Sequence, residues 1–207
     1  AAPDFDAPFR EHLVGREIVS IAPGDFDEDG RLDVVVSIDW PTVDLILMRQ
    51  NPDHSFGEAG SWNPSSFLQK IVAGDFNGDG HRDIAGLNYA GEVELYFGDG
   101  AGGVSGFHVQ PTPPMANSIE RANLNGPGDG DDLVVASYYG SQLQTYVGAN
   151  GLLTPVTTYA TLVDPAALGI GDLDGDGLDD IVTAHEFIEV SQLLFSDGLG
   201  GFASAMT

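Results

Sequence analysis

One ten-residue stretch, Gly24-Asp25-Phe26-Asp27-Glu28-Asp29-Gly30-Arg31-Leu32-Asp33, recurs along the chain and constrains the fold more than any other feature. Counted from Asp25, carboxylates stand at positions 1, 3, 5 and 9, a glycine stands at 6, and Val34-Val35-Val36 follows. Acids this close repel by about 1 kcal/mol per pair at 4 Å in water, and by about 4 kcal/mol at an effective dielectric of 20. A short loop of alternating oxygen ligands, bent at Gly30, suits a hard cation, and calcium fits that description.

The stretch returns as Gly74-Asp75-Phe76-Asn77-Gly78-Asp79-Gly80-His81-Arg82-Asp83 and as Gly171-Asp172-Leu173-Asp174-Gly175-Asp176-Gly177-Leu178-Asp179-Asp180. A worn copy lies between them at Asn123–Asp132, with Asn123 and Asn125 in place of aspartates, Pro127 inside the loop and one residue too many. The four loops start at residues 25, 75, 123 and 172, spacings of 50, 48 and 49. An apolar segment precedes each loop (Ile18–Ala22, Ile71–Ala73, Ile119–Ala122, Leu168–Ile170) and a β-branched run follows it. A third apolar segment comes next (Val43–Met48, Val93–Phe97, Gln142–Val147, Val190–Phe195), and a last one begins near Phe56, Val104, Leu153 and Phe202. Four short strands per period, separated by Gly, Asp and Asn turns, specify an all-β chain. Tandem units of this length and make-up specify a β-propeller of four-stranded blades. We expect a single propeller domain or segment over 1–207, with repeats of approximately 17–67, 68–116, 117–165 and 166–207. Pro64–Lys70 has room for one helical turn.

Composition narrows the partners. The 207 residues hold 32 acidic and 7 basic side chains, a formal charge of −25, which repels nucleic acid and anionic lipid. No cysteine is present, so disulfides, thiolate nucleophiles and cysteine zinc sites are excluded. No apolar run reaches the length of a membrane span. The start, Ala1-Ala2-Pro3-Asp4, looks like a mature N-terminus left by signal-peptide cleavage, and we expect a secreted or surface-exposed protein.

With Gly-Asp-Phe-Asn-Gly-Asp-Gly-x-x-Asp at residues 74–83 and Phe97-Gly98-Asp99-Gly100 closing the third strand, the units resemble FG-GAP/VCBS repeats. These are blades of integrin-α-type propellers and of related propeller proteins, some of them lectins. The resemblance runs from about Ile18 to Phe202 and implies calcium in about three loops. The first would use Asp25, Asp27, Asp29 and Asp33 with the Arg31 carbonyl. The second would use Asp75, Asn77, Asp79 and Asp83 with the His81 carbonyl. The fourth would use Asp172, Asp174, Asp176 and Asp180 with the Leu178 carbonyl. The worn third loop is expected to bind calcium weakly or not at all. An EF-hand is excluded, because position 12 is Val36, Gly86 or Thr183 instead of glutamate.

Aromatic residues follow the second strand of every unit: Trp40, Tyr89, Tyr138 with Tyr139, and Phe187. They belong to the face opposite the acidic loops, which also carries Trp62 and the Pro111–Pro114 connection, and which in the integrin-like family is the ligand-binding side. Such a rim can stack on sugar rings or seat a protein partner, or simply cover hairpin ends. No enzyme constellation is present: the five histidines are scattered, and there is no nucleophile elbow, Walker loop or His-Glu-x-x-His pair. The expected function is a calcium-stabilised binding module for glycan or protein, of lectin or adhesin type, and not an enzyme. The alternative is a portion, catalytic or not, of a polysaccharide-degrading enzyme. Propellers of this family commonly have seven blades. Four units therefore leave three arrangements open: a segment of a longer propeller, a ring completed by association between copies, or a closed four-bladed ring.

Overall fold

The computed structural model describes residues 17–203 apart from 41, 129, 150, 163, 186 and 187. Sixteen strands form four antiparallel sheets of four, and no helix occurs among the described residues. Each sheet is a meander in sequence order. Blade 1 holds β1 (Glu17–Gly24), β2 (Asp33–Trp40), β3 (Asp44–Gln50) and β4 (Phe56–Trp62), and blade 2 holds β5 (Leu68–Gly74), β6 (Asp83–Asn88), β7 (Glu92–Gly98) and β8 (Val104–Pro111). Blade 3 holds β9 (Ala116–Ala122), β10 (Asp132–Ser137), β11 (Gln142–Ala149) and β12 (Leu152–Ala160), and blade 4 holds β13 (Pro165–Gly171), β14 (Asp180–His185), β15 (Ser191–Ser196) and β16 (Phe202–Ala203). The Phe9–Val14 segment, which resembles a last strand, lies outside the described residues, as does the chain beyond Ala203.

The first strands of the blades line up: β1 packs on β5, β5 on β9, and β9 on β13. No comparable contact joins β13 back to β1 among the described residues, so the four blades form an open fan. Burial follows from this. All six residues of β6 and of β10, covered on both faces, are buried, whereas β8 and β12 at the outer edge alternate exposed with covered positions.

Three apolar clusters cement the fan, one per joint. Between blades 1 and 2, Phe26, Val35, Leu45 and Leu47 meet Leu68, Ile71, Ile84 and Tyr96. Between blades 2 and 3, Phe76, Leu87, Val93 and Leu95 meet Ile119, Leu133, Val135 and Tyr146. Between blades 3 and 4, Leu124, Val134 and Leu143 meet Ile181, Leu194 and Phe202. The first residue after the position-9 aspartate faces the preceding blade in blades 2–4 (Ile84, Leu133, Ile181), while the second faces the following blade in blades 1–3 (Val35, Ala85, Val134). This is the two-residue period of a strand covered on both faces.

Residues 63–67 form no helical turn, and β5 begins at Leu68. A side chain distant in sequence fixes the segment: Glu94, fully buried in β7, accepts hydrogen bonds from the Ser65 N–H at 3.2 Å and from the Ser65 hydroxyl. Asn88 Nδ2 at 3.0 Å and the Tyr96 hydroxyl at 2.6 Å complete its shell. Burial opposes ionisation of Glu94, and these donors outweigh it, holding the carboxyl below its usual range.

Candidate metal loops and the opposite face

Each acidic loop joins the first strand of a blade to the second, and its glycine at position 6 takes a backbone that side chains resist: φ is 84° at Gly30, 90° at Gly80 and 91° at Gly177. That turn aims successive N–H groups at the position-1 carboxylate. Asp25 accepts from the N–H groups of Asp29 and Gly30, Asp75 from those of Gly78, Asp79 and Gly80, and Asp172 from those of Gly175 and Gly177. Position 4 is a second left-handed residue, glycine in three loops but Glu28 in the first, at φ 56°. Glu28 carries a contact to the next blade, an ion pair with the His81 ring that raises the imidazole pKa.

Asp25, Asp27 and Asp29 bring one carboxylate oxygen each within 4.8 Å of the others, as do Asp172, Asp174 and Asp176. In the second loop Asn77 takes the place of the middle acid and donates to Asp79 Oδ2 at 2.9 Å. The first cluster is the most enclosed. The Asp27 side chain is 9% exposed, its Oδ2 lies 2.8 Å from Arg49 Nε, and its Oδ1 is sealed from solvent with no hydrogen-bond partner. A buried carboxylate oxygen without a partner, on the middle member of a three-acid cluster, fits a cation, and an all-oxygen donor set suits a hard one. Arg31 and Leu178 stand at position 7 of their loops and His81 at the same place in the second, each donating its N–H to the position-5 aspartate at 2.9–3.0 Å.

The position-9 aspartates sit apart from these clusters. Asp33, Asp83, Asp132 and Asp180 are at most 1% exposed, and each bridges two backbone donors. One donor is the loop's second residue (Phe26, Phe76, Leu124, Leu173) and the other stands at the end of the third strand or one residue before it (Gln50, Gly98, Gly148, Ser196). Burial pushes the Asp83 and Asp132 carboxyls up to about 6 despite these donors. In the structure, therefore, the ninth position staples the loop to the third strand.

In the third loop Asn123 accepts from Gly126 N–H at 3.0 Å, while Asn125 Oδ1 is buried without a partner. Its extra length leans on loop 2: a Cβ at Gly130 would fall 2.7 Å from the Asp75 carbonyl oxygen. A 570 Å³ recess separates the two loops, lined by Asp75, Asp79, Arg121, Asn123 and Asp131. Asp131 accepts a hydrogen bond from Arg121 Nη1 at 2.8 Å, and Arg82 lies 3.6 Å away. Sequence reading passed over Asp131, Asp179, Glu28 and Glu94. For the first two a signal existed, the Asp-Asp doublets at 131–132 and 179–180, where the other loops have Leu32-Asp33 and Arg82-Asp83.

The turns between second and third strands lie at the other end of each blade. Tyr89 and Tyr139 are 73% exposed there. The Tyr89 ring lies 5.4 Å from that of Phe67, and the Tyr138 and Tyr139 rings meet edge-on at 4.8 Å. Trp40 ends β2, but its side chain lies outside the described residues, and so does Phe187. Trp62 is partly buried against the joint of blades 1 and 2. Tyr146 donates to the Pro111 carbonyl at 2.8 Å, tying down the Pro111–Pro114 connection.

A profile for the FG-GAP-like repeat matches residues 25–86, blade 1 from its acidic loop into the second strand of blade 2. No curated protein sequence matches the chain. Among solved structures, BBS1N in complex with ARL6DN is similar at a TM-score of 0.56 and 13% identity, over 80% of this chain and 50% of that one. The WD40 domain of Toxoplasma gondii coronin is similar at a TM-score of 0.54 and 14% identity, over 83% of this chain and 43% of that one. The chain thus spans about half the length of these structures, and at such identities the likeness speaks for fold alone. Residues 25–86 carry an FG-GAP-like repeat, and the chain as a whole is built on the β-propeller plan of four-stranded blades.

Proposed function

We propose that this protein is an extracellular, calcium-stabilised binding module that holds a glycan or a protein partner on the face carrying Tyr89, Tyr138 and Tyr139, and that it performs no chemistry of its own. The observation that carries this reading is the division of labour between the two ends of the blades. Acidic clusters with a buried, unpartnered oxygen on Asp27 gather at one end, and exposed tyrosines project at the other. Asp25, Asp27 and Asp29, the Asp75–Asp79 stretch, and Asp172, Asp174 and Asp176 would hold the ions, which neutralise the loops. Tyrosine rings offer flat apolar area with a polar edge, the chemistry used to stack sugars and to anchor protein interfaces. Association between copies is a further proposal, favoured by the apolar Leu173, Val190, Leu193 and Leu199 of blade 4, each 45–78% exposed.

A glycan array, followed by binding measurements on Tyr89→Ala and Tyr139→Ala, tests the reading. Both side chains are mostly exposed, so the variants should melt like the parent while losing roughly 10-fold or more in affinity, the scale of a lost anchor residue. Unchanged affinity in both variants would remove the tyrosines from the site. Release of a shortened glycan would overturn the claim of binding without turnover and favour a portion of a polysaccharide-degrading enzyme.

A further inference from the structure

The residue just ahead of the position-9 aspartate recurs in an unexpected role. In blade 3 this is Asp131, whose Oδ2 accepts from the Asp75 N–H of blade 2 at 2.8 Å and whose own N–H donates to the Asp75 carbonyl at 2.5 Å. In blade 4 it is Asp179, which makes the same pair of bonds with Asn123 of blade 3, at 2.8 and 2.7 Å. Two copies of one two-point latch on successive joints are a built feature. Blade 2 has Arg82 at this place, and no hydrogen bond joins Arg82 to Asp25 among the described residues. That joint is closed instead by the Gly102 N–H on the Phe26 carbonyl at 2.9 Å and by Arg49 between Asp27 and the Ala101 carbonyl.

Asp75, the residue latched by blade 3, is also the residue whose carboxylate collects the N–H groups of loop 2 and opens its oxygen set. We infer that Asp131 is a positioning residue for the loop 2 cation site: it fixes the Asp75 backbone from the neighbouring blade and makes the affinity of loop 2 depend on blade 3. Arg121 orients the Asp131 carboxylate from the side opposite the latch. The worn third loop thus keeps a task at its end, and Gly130 beside it has no room for a side chain, since a Cβ there would fall 2.7 Å from the Asp75 carbonyl oxygen. Partners that orient a metal ligand without touching the ion commonly change affinity by 10-fold or more. This inference rests on the calcium reading above.

The test uses the full chain with Asp27→Ala and Asp174→Ala, which remove a central ligand from loops 1 and 4, so that calcium titration calorimetry reports loop 2. Asp131→Ala in that background should weaken calcium roughly 10-fold. Asp131→Asn, which keeps an acceptor for the Asp75 N–H, should restore much of the loss. Asp179→Ala, which breaks the equivalent latch one joint further on, should leave loop 2 unchanged. If Asp131→Ala binds calcium like its parent while its melting temperature falls, the latch is only a structural joint and the inference fails alone. An unsubstituted chain that takes up no calcium sinks the calcium reading, and the inference with it; if only the Asp27→Ala, Asp174→Ala background takes up none, loop 2 holds no cation and the inference fails alone. Should Asp131→Ala not fold, Arg121→Gln, which frees the Asp131 carboxylate on its outer side, is expected to weaken loop 2 in the same direction, and equal affinity there would overturn the inference.

Discussion

Asp132 is a carboxylate held in a dry place by two N–H groups, those of Leu124 at 2.6 Å and Gly148 at 3.0 Å. Its pKa of about 6 in the fold, against 3.8 for an ordinary aspartate, sets the sign of a pH effect. The folded chain holds the proton more tightly than the unfolded one. The stabilisation is therefore complete below about pH 4 and is lost as pH rises through about 6. Asp83 behaves alike, with burial as the leading cause. Urea unfolding in the presence of chelator should show stability falling across that window, and Asp132→Asn should flatten the fall. The same variant should be weaker by about 1–3 kcal/mol at pH 5, because its amide turns a donor toward one of the two N–H groups.

At the scale of the loop and its strand, the second loop residue shows how one sequence position acquires different energies. Phe26, Phe76 and Leu124 each enter the joint with the following blade and are 6%, 0% and 0% exposed. Leu173 holds the same place in blade 4, which has no following blade among the described residues, and it is 51% exposed. Phe76→Ala should cost about 3–5 kcal/mol through lost burial and the cavity left behind. Leu173→Ala should stay within about 0.5 kcal/mol of the parent. Denaturant midpoints on the two variants decide it, and equal losses would mean that blade 4 is covered in solution. The strands were legible because alternating apolar residues and Gly/Asp turns encode them locally. The 63–67 segment was not, because Glu94, which arrests it, lies 29 residues from Ser65.

For the whole molecule, a formal charge of −25 with acids concentrated in loops makes the proposed cation binding a matter of stability. If the loops hold calcium as proposed, a Kd of ~10⁻⁴ M at ~1 mM calcium would let each site add about 1.4 kcal/mol and three sites about 4 kcal/mol. For a chain of this size each kcal/mol moves the melting point by roughly 2–4 °C, so chelation should lower it by about 8–16 °C and calcium should restore it. An unmoved transition would leave the loops as bare acidic turns.

The four units, their strand order and the acidic loops were fixed by local chemistry that repeats every 48–50 residues: side-chain alternation, glycine where φ must be positive, carboxylates at every second place. What the tertiary structure alone decided is how equivalent residues diverge. Leu124 is buried and Leu173 bare, Glu28 bears a strained backbone beside His81, and Asp131 crosses from a worn loop to hold its neighbour. The physical reason is that these outcomes depend on which blade stands next in space. A residue's type is written at its own position, but its burial and its hydrogen-bond partner are supplied by chain some fifty residues away.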